Sequence, residues 1–428
     1  MVGILSGVHS SLLPLMLALF VSVLSACNGN GSNNSTPASA NPTVPVISAF
    51  TASPSVITPG QSSQLTWTVK NADSLALNGI ATQSSNTNIS PDTTTTYTLI
   101  ASNSIGNATA SVTVSVGNQA VAYGNMKAAD LGAGANLNGA VPFPASNAWN
   151  TDISAAPVDT GSGALISSIG LGTGLHPDFG AGLYSGAPIG IPYDVVSGSQ
   201  SKVNILFVSY ADESDPGPYP VPMDAPIEGQ QADGSDFGGD RHVLVIDRDA
   251  NLLYELANAY PQSDGSWQAG CGAIFHLDSN NARPNSQPGW TSADAAGLPI
   301  FPGLVRYEEA ASGVISHALR FTVNTTRKAY LPPATHWASS NTSPDVPPMG
   351  MRVRLKADFT IPNGFSIESK AILQALKIYG MFVADNGSNW YMTGAPDDRW
   401  DNDTLASELG SVKGSNFEVV RMDGLVTP

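Results

Sequence analysis

Asp240 and His242 lie two residues apart in Gly239-Asp240-Arg241-His242-Val243-Leu244-Val245. In an extended strand, residues i and i+2 share a face, so this carboxylate and imidazole are expected side by side. The apolar runs at 241–247 and 252–256, separated by a turn at 248–251, read as a hairpin. Its returning strand carries Glu255, which a suitable register brings beside the pair. A carboxylate next to an imidazole tunes a general base or fixes a tautomer. The same groups also suit a polar network closing the end of a sheet.

A second group is Arg306, Glu308, Glu309 and His317. Residues 303–309 read as a loop entering a short helix, so both glutamates fall in its first turn, where the helix dipole favours negative charge. The chemical alternative makes one of the two glutamates an acid or base whose proton affinity is set by Arg306 or His317. His176 with Asp178, His276 with Asp278, and His336 have metal-ligand side chains, but their spacing fits no zinc or calcium pattern. No metal or other cofactor is expected. Cys271 falls in a run that reads as a buried strand, where an inert thiol is the simple expectation and a nucleophile would need a nearby histidine.

Trp290, Trp337, Trp390 and Trp400 occur in segments rich in Gly, Asn, Asp and Ser. Flat aromatics beside carboxylates and amides commonly line sugar-binding clefts. Core packing is the competing role for each one. Together the groups point to glycoside hydrolysis, in which one carboxylic acid protonates the leaving oxygen and a second carboxylate activates water. The expected catalytic set is Asp240, His242, Glu255, Glu309 and His317, with Trp290, Arg306 and Trp390 binding substrate. The partner is then a polysaccharide or glycan. Non-catalytic glycan binding or adhesion is the alternative.

The chain of 428 residues carries 18 Lys+Arg against 34 Asp+Glu, a net charge of -16. That balance argues against a nucleic-acid partner, which needs a basic face. It equally disfavours electrostatic attachment to anionic lipid. No phosphate loop, dinucleotide fingerprint, HExxH or GxSxG occurs.

The positioning elements begin with an address. Residues 12–24 are apolar, too short for a comfortable membrane span, and read as a signal segment. Leu24-Ser25-Ala26-Cys27 follows and resembles the lipobox of bacterial lipoproteins. The only basic-type residue ahead of the apolar stretch is His9, a departure from that pattern. The resemblance implies cleavage before Cys27 and a membrane attachment through lipid on that cysteine. Asn28 in the next position implies the outer membrane or cell surface. The resulting layout is a signal peptide at 1–26, a tether at 27–45, a β module at 46–117, a linker at 118–139 and a large domain at 140–428.

Within 46–117, Leu65, Trp67 and Val69, then Tyr97, Leu99 and Ala101, then Val112, Val114 and Val116 alternate with polar residues. This is the period of half-buried strands. With Leu65-Thr66-Trp67, the run from Pro91 to Leu99 and Ala101-Ser102-Asn103-Ser104-Ile105-Gly106, the stretch resembles a bacterial immunoglobulin-like repeat. The resemblance implies a β-sandwich around Trp67 that acts as a spacer, with glycan or protein binding as the alternative. The large domain is similar to a largely uncharacterised family of secreted bacterial proteins, through His176-Pro177-Asp178-Phe179-Gly180, the 213–220, 239–245 and 289–300 strings, Pro348-Met349-Gly350 and Asp385-Asn386-Gly387-Ser388. That likeness carries no catalytic residues. The expected class is all-β dominated, with a large jelly-roll or lectin-like β-sandwich and short helices near 369–379 and 402–409.

Overall fold

In the computed structural model, the described residues are 43–428 apart from 54–55, 58–61, 92, 117–120, 232 and 236–238. Strand makes up 33% of the chain and helix 11%, so the β-dominated expectation holds. Cys27 and the signal segment lie outside the described residues. Among those residues no helix is long and apolar enough to cross a membrane.

Alternation does what it predicts in the first module. Along Ser63–Lys70, Ser63, Leu65 and Trp67 turn inward while Gln64, Thr66 and Thr68 turn outward. A three-stranded sheet and a five-stranded sheet contribute Leu65, Trp67, Ile57, Leu99 and Val114 to one core. Phe50 meets Trp67 edge-on, with centroids 6.0 Å apart. This core contains no residue beyond 116.

Two larger sheets follow. The first has five strands in the order Gly132–Ala133, Tyr193–Val196, Val243–Asp247, Leu252–Ala257 and Cys271–His276. The expected hairpin is present, with Leu244 opposite Glu255 and Val243 opposite Leu256. Leu244, Ile246, Leu253 and Phe275 join the main core, whereas Val243, Val245, Tyr254 and Leu256 join a second core with Tyr219 and Trp267. Burial on both faces explains why the sequence shows an unbroken apolar run there rather than alternation.

The second sheet has six strands, in the order His176–Asp178, Tyr391–Thr393, Leu319–Val323, Met381–Asn386, Arg352–Leu355 and Phe417–Val419. It is mixed: Leu319–Val323 runs parallel to Met381–Asn386 and antiparallel to Tyr391–Thr393. Helices stand at Ile367–Ile378 and Asn402–Gly410, the second capped by the Asp401 carboxylate accepting from the Thr404 amide at 3.1 Å. A 3-10 turn, Phe301–Gly303, packs against the six-stranded sheet. A Cβ at Gly303 would come within 2.8 Å of Trp149 and 3.0 Å of the Arg320 Cβ, so only glycine permits this approach.

Candidate functional site

Directly paired residues on neighbouring strands share a face, and the six-stranded sheet uses this to assemble two polar rows. In one row Asp178 stands beside Thr393, and Thr393 Oγ1 accepts from Arg320 Nη1 at 3.0 Å. In the next, His176 stands beside Tyr391, Tyr391 beside Thr322, and Thr322 beside Asp385. The His176 and Tyr391 rings meet edge-on, 4.0 Å apart. His176 and Asp178 are exposed, and Tyr391, Thr322 and Asp385 are half-buried, while Arg320 lies beneath them at 3% exposure.

Asp385 joins this face through a bulge. Val383 pairs with Phe321 and Asp385 with Thr322, leaving Ala384 as the spare residue. With regular pairing Ala384 would stand opposite Thr322 and Asp385 would turn to the other face, occupied by the buried side chains of Phe321, Val383 and Met392.

Other segments close over Arg320. Asp294 Oδ1 accepts from Arg320 Nη2 at 2.6 Å, with both residues buried. Arg320 also acts electrostatically on Asp178, Glu228, Glu255 and Asp385. Burial raises the Asp294 carboxyl to about 7 against the pull of Arg320, and it raises Asp385 in the same direction. Arg320 Nε and Asp294 Oδ2 are buried with no hydrogen-bond partner among the described residues. Two orphaned polar atoms in one buried pair are unusual, because such groups are normally satisfied.

His242 faces acceptors on both sides, with Nδ1 2.6 Å from Glu228 Oε2 and Nε2 2.9 Å from the Ala293 carbonyl. Both ring nitrogens therefore donate, as in the imidazolium form. Burial opposes that charge, but Glu228 and Asp240 outweigh it and push the ring up to about 9. In return, Glu228 would be raised by burial, yet the His242 charge and hydrogen bonds bring it below the usual carboxylate range. Its side chain retains 25% exposure.

The sequence-derived set divides. Asp240 is exposed, and Arg241 at φ 47° interrupts the strand alternation between Asp240 and His242. Asp240 still acts on His242 and Asp385. Glu255 requires a correction: it is completely buried, and it accepts from the Ile300 amide at 2.9 and 3.0 Å and from the Phe301 amide at 2.9 Å. Burial raises it to about 7, with those amides opposing. It anchors the 3-10 turn and does not line an open cleft.

Glu309, His317 and Arg306 form a separate cluster at the other end of that turn. Arg306 Nη1 donates to the Phe301 and Leu304 carbonyls at 3.1 and 3.3 Å, and Nη2 donates to Glu309 Oε2 at 2.8 Å. His317 Nε2 lies 2.8 Å from Arg306 Nη2 and 3.1 Å from both Glu309 oxygens. Because a guanidinium only donates, His317 Nε2 is assigned as the acceptor, and Nδ1 carries the proton toward the Ala318 carbonyl at 2.8 Å. Among the described residues no side-chain bond joins this cluster to Asp240, His242 or Glu255. The expectation that Glu309 and His317 complete one proton-transfer set with Asp240 is corrected accordingly, and Arg306 is a brace.

Trp390 also needs correction. It is fully buried, stacked on Phe321 at 5.5 Å and tilted on Phe417 at 4.9 Å, and its Nε1 donates to the Gly170 carbonyl at 3.1 Å. It therefore offers no face to a ligand. Trp400 is buried between Phe179 and Tyr307, and Trp337 stacks on Tyr330. Trp290 is half-buried under the Arg283 guanidinium, 5.5 Å from its ring centroid, and Arg283 in turn pairs with Asp215 at 2.7 Å. The buried Cys271 thiol donates to the Ser292 carbonyl, and burial pushes it up to about 11, which fits an inert thiol.

Among the described residues no group of three or more His, Cys, Asp or Glu side chains is placed to hold a metal ion. Sequence reasoning missed Glu228, Arg320, Tyr391 and the roles of Asp294 and Asp385. A signal was available: the 176–180, 289–300 and 385–388 strings supply Asp178, Asp294 and Asp385, which the fold gathers around Arg320, and the 239–245 string supplies His242, which acts on Asp385. Comparison of the chain with protein-family models, with curated proteins and with solved structures found no match.

Proposed function

We propose that the Arg320 face of the six-stranded sheet binds a carbohydrate and hydrolyses a glycosidic bond. The observation that carries this reading is the gathering of solvent-reaching carboxylates, Asp178, Glu228 and Asp385, around one buried arginine, with Asp240 acting on Asp385 and with Tyr391 and His176 in the adjoining row. Glycoside hydrolysis needs one carboxyl that keeps its proton and one that loses it. Asp385, raised by burial, suits the proton donor. Glu228, kept ionised by His242, suits the carboxylate that activates water. Tyr391 supplies an aromatic surface for a sugar ring, and Asp178 and Asp240 supply acceptors for its hydroxyls.

In this reading the chain is a surface lipoprotein held by lipid on Cys27, with 46–117 as an immunoglobulin-like spacer. A large β-sandwich remains the finer fold reading, although the parallel pairings weigh against its jelly-roll form. Non-catalytic glycan binding is favoured by one observation, the complete burial of Glu255 and His317. The test is release of reducing ends from a polysaccharide panel by the full chain. Asp385→Asn and Glu228→Gln should each lower release per folded molecule by about 100-fold, the second also at a cost in stability because it leaves His242 without its carboxylate. Binding without release from any substrate would favour the glycan-binding reading, and neither binding nor release would dismiss both.

A further inference from the structure

Arg352 is a partly buried cation without a carboxylate. It donates from Nε to the Tyr379 carbonyl at 2.7 Å, from Nη1 to the Ala148 carbonyl at 2.8 Å and from Nη2 to the Thr151 carbonyl at 3.1 Å. All three acceptors are neutral. The buried arginines Arg283, Arg306, Arg320 and Arg354 each meet a carboxylate instead. Among the described residues no acid lies within ion-pair distance of Arg352. Burial lowers its pKa, and only the more distant Asp152 offsets this. A guanidinium has five N–H donors, so two remain for another acceptor.

Arg352 borders a cavity of about 150 Å³ that opens beside the exposed pair Arg421 and Asp423. Its walls include Phe382, Leu331 and Met422. Phe382 is buried, and the Arg352 guanidinium stacks over its ring at 4.7 Å. With Arg352 and Arg421 against Asp423, the lining carries one net positive charge. Its volume matches that of a cavity known to accept benzene, roughly 150 Å³.

We propose that this cavity binds a small organic monocarboxylate, with its anion on Arg352 and its apolar body against Phe382, Leu331 and Met422. A planar guanidinium suits a carboxylate in geometry and charge. One net positive charge balances one carboxylate, whereas a phosphate dianion would leave a charge uncompensated in a partly apolar cavity. Phe382 pairs with both Arg320 and Arg352, so this cavity lies on the same side of the six-stranded sheet as Arg320, with the Phe382 ring between the two arginines; the proposal does not rest on the hydrolase reading.

The test is calorimetric titration of the full chain with benzoate, propionate and sulfate. Benzoate should bind in the millimolar range and propionate more weakly, because it covers less apolar wall. Arg352→Met should abolish benzoate binding. Because that change also frees three carbonyls and can unfold the chain, two exposed variants supply a second measurement. Arg421→Ala should weaken benzoate by about threefold and Asp423→Asn should strengthen it by about threefold, since one removes a lining cation and the other a lining anion. No heat with benzoate up to tens of millimolar, sulfate binding as well as benzoate, or affinity unmoved by both exposed variants would each overturn the proposal.

Discussion

Asp385 stands directly across the ladder from Thr322, on the same side of the sheet as Arg320, because the pairing skips Ala384. The bulge thus converts a carboxylate that would face an apolar core into one at a solvent-reaching surface. It also brings a carboxyl group within reach of a buried arginine whose Nε has no hydrogen-bond partner among the described residues. Bulges recur beside functional sites because they re-aim single side chains.

Asp385→Asn should therefore separate function from stability. The substitution keeps shape and hydrogen bonding but removes the titrating proton, so turnover on a cleaved polysaccharide should fall by about 100-fold. Burial already raises this carboxyl, so the neutral amide should leave the urea midpoint unchanged or slightly higher at pH 8. Full turnover in this variant would take Asp385 out of the mechanism.

The local elements were legible because their causes are local. The turn at 248–251, the Asp401 cap, the hairpin around Glu255 and the short helix at Glu308 and Glu309 follow from residue type and spacing. Trp67 was legible as a core residue from alternation alone. The site was not, because its members come from distant segments: Asp178, Glu228, His242, Asp294, Arg320 and Asp385 meet only when two sheets and a connecting loop close together. Two departures from regular backbone also mattered. The positive φ of Arg241 separates Asp240 from His242, and the skipped Ala384 re-aims Asp385. Neither has a sequence signature of the kind glycine provides. Trp390 misled for a related reason: its polar neighbours at 386–389 form the turn above it, while its ring sits in the core.

Lipidation at Cys27 is testable apart from the fold. Changing Cys27 to Ser should leave unprocessed precursor in cells and abolish labelling by a fatty-acid probe. Labelling that persists in the Ser variant would remove the membrane anchor from the proposal.

Glu309→Gln should be a stability variant. It leaves Arg306 buried without its carboxylate. Breaking a buried ion pair costs about 3–5 kcal/mol. The Glu309 side chain is 17% exposed, so a loss of about 2 kcal/mol in urea unfolding is expected. Polysaccharide cleavage per folded molecule should be unchanged. A large loss of turnover with the unfolding midpoint preserved would return Glu309 to the catalytic set.

Stability should decline as pH rises from mildly acid to alkaline, in two stages with different owners. Burial raises Glu255 from 4.5 to about 7 and Asp294 from 3.8 to about 7. Between those limits the folded chain binds more protons than the unfolded one, so stability falls as pH rises toward 7. For Glu255 alone the shift corresponds to about 3 kcal/mol. His242 is raised from 6.5 to about 9, chiefly by Glu228 acting against burial. Its contribution is fully present below pH 6.5 and is lost as pH climbs through 9. Glu228 and Glu309 are lowered instead, so their contributions disappear only in acid, below the ordinary carboxylate range. The maximum should consequently lie near pH 5. Urea unfolding at pH 5, 7 and 9 measures the profile. Glu255→Gln should flatten the segment from pH 5 to 7, because the amide keeps an acceptor for the Ile300 and Phe301 amides and never ionises. His242→Gln should flatten the segment from 7 to 9 and lower stability at pH 5. A wild-type profile that rises from pH 5 to 9 would contradict the charge assignments of Glu255, Asp294 and His242 together.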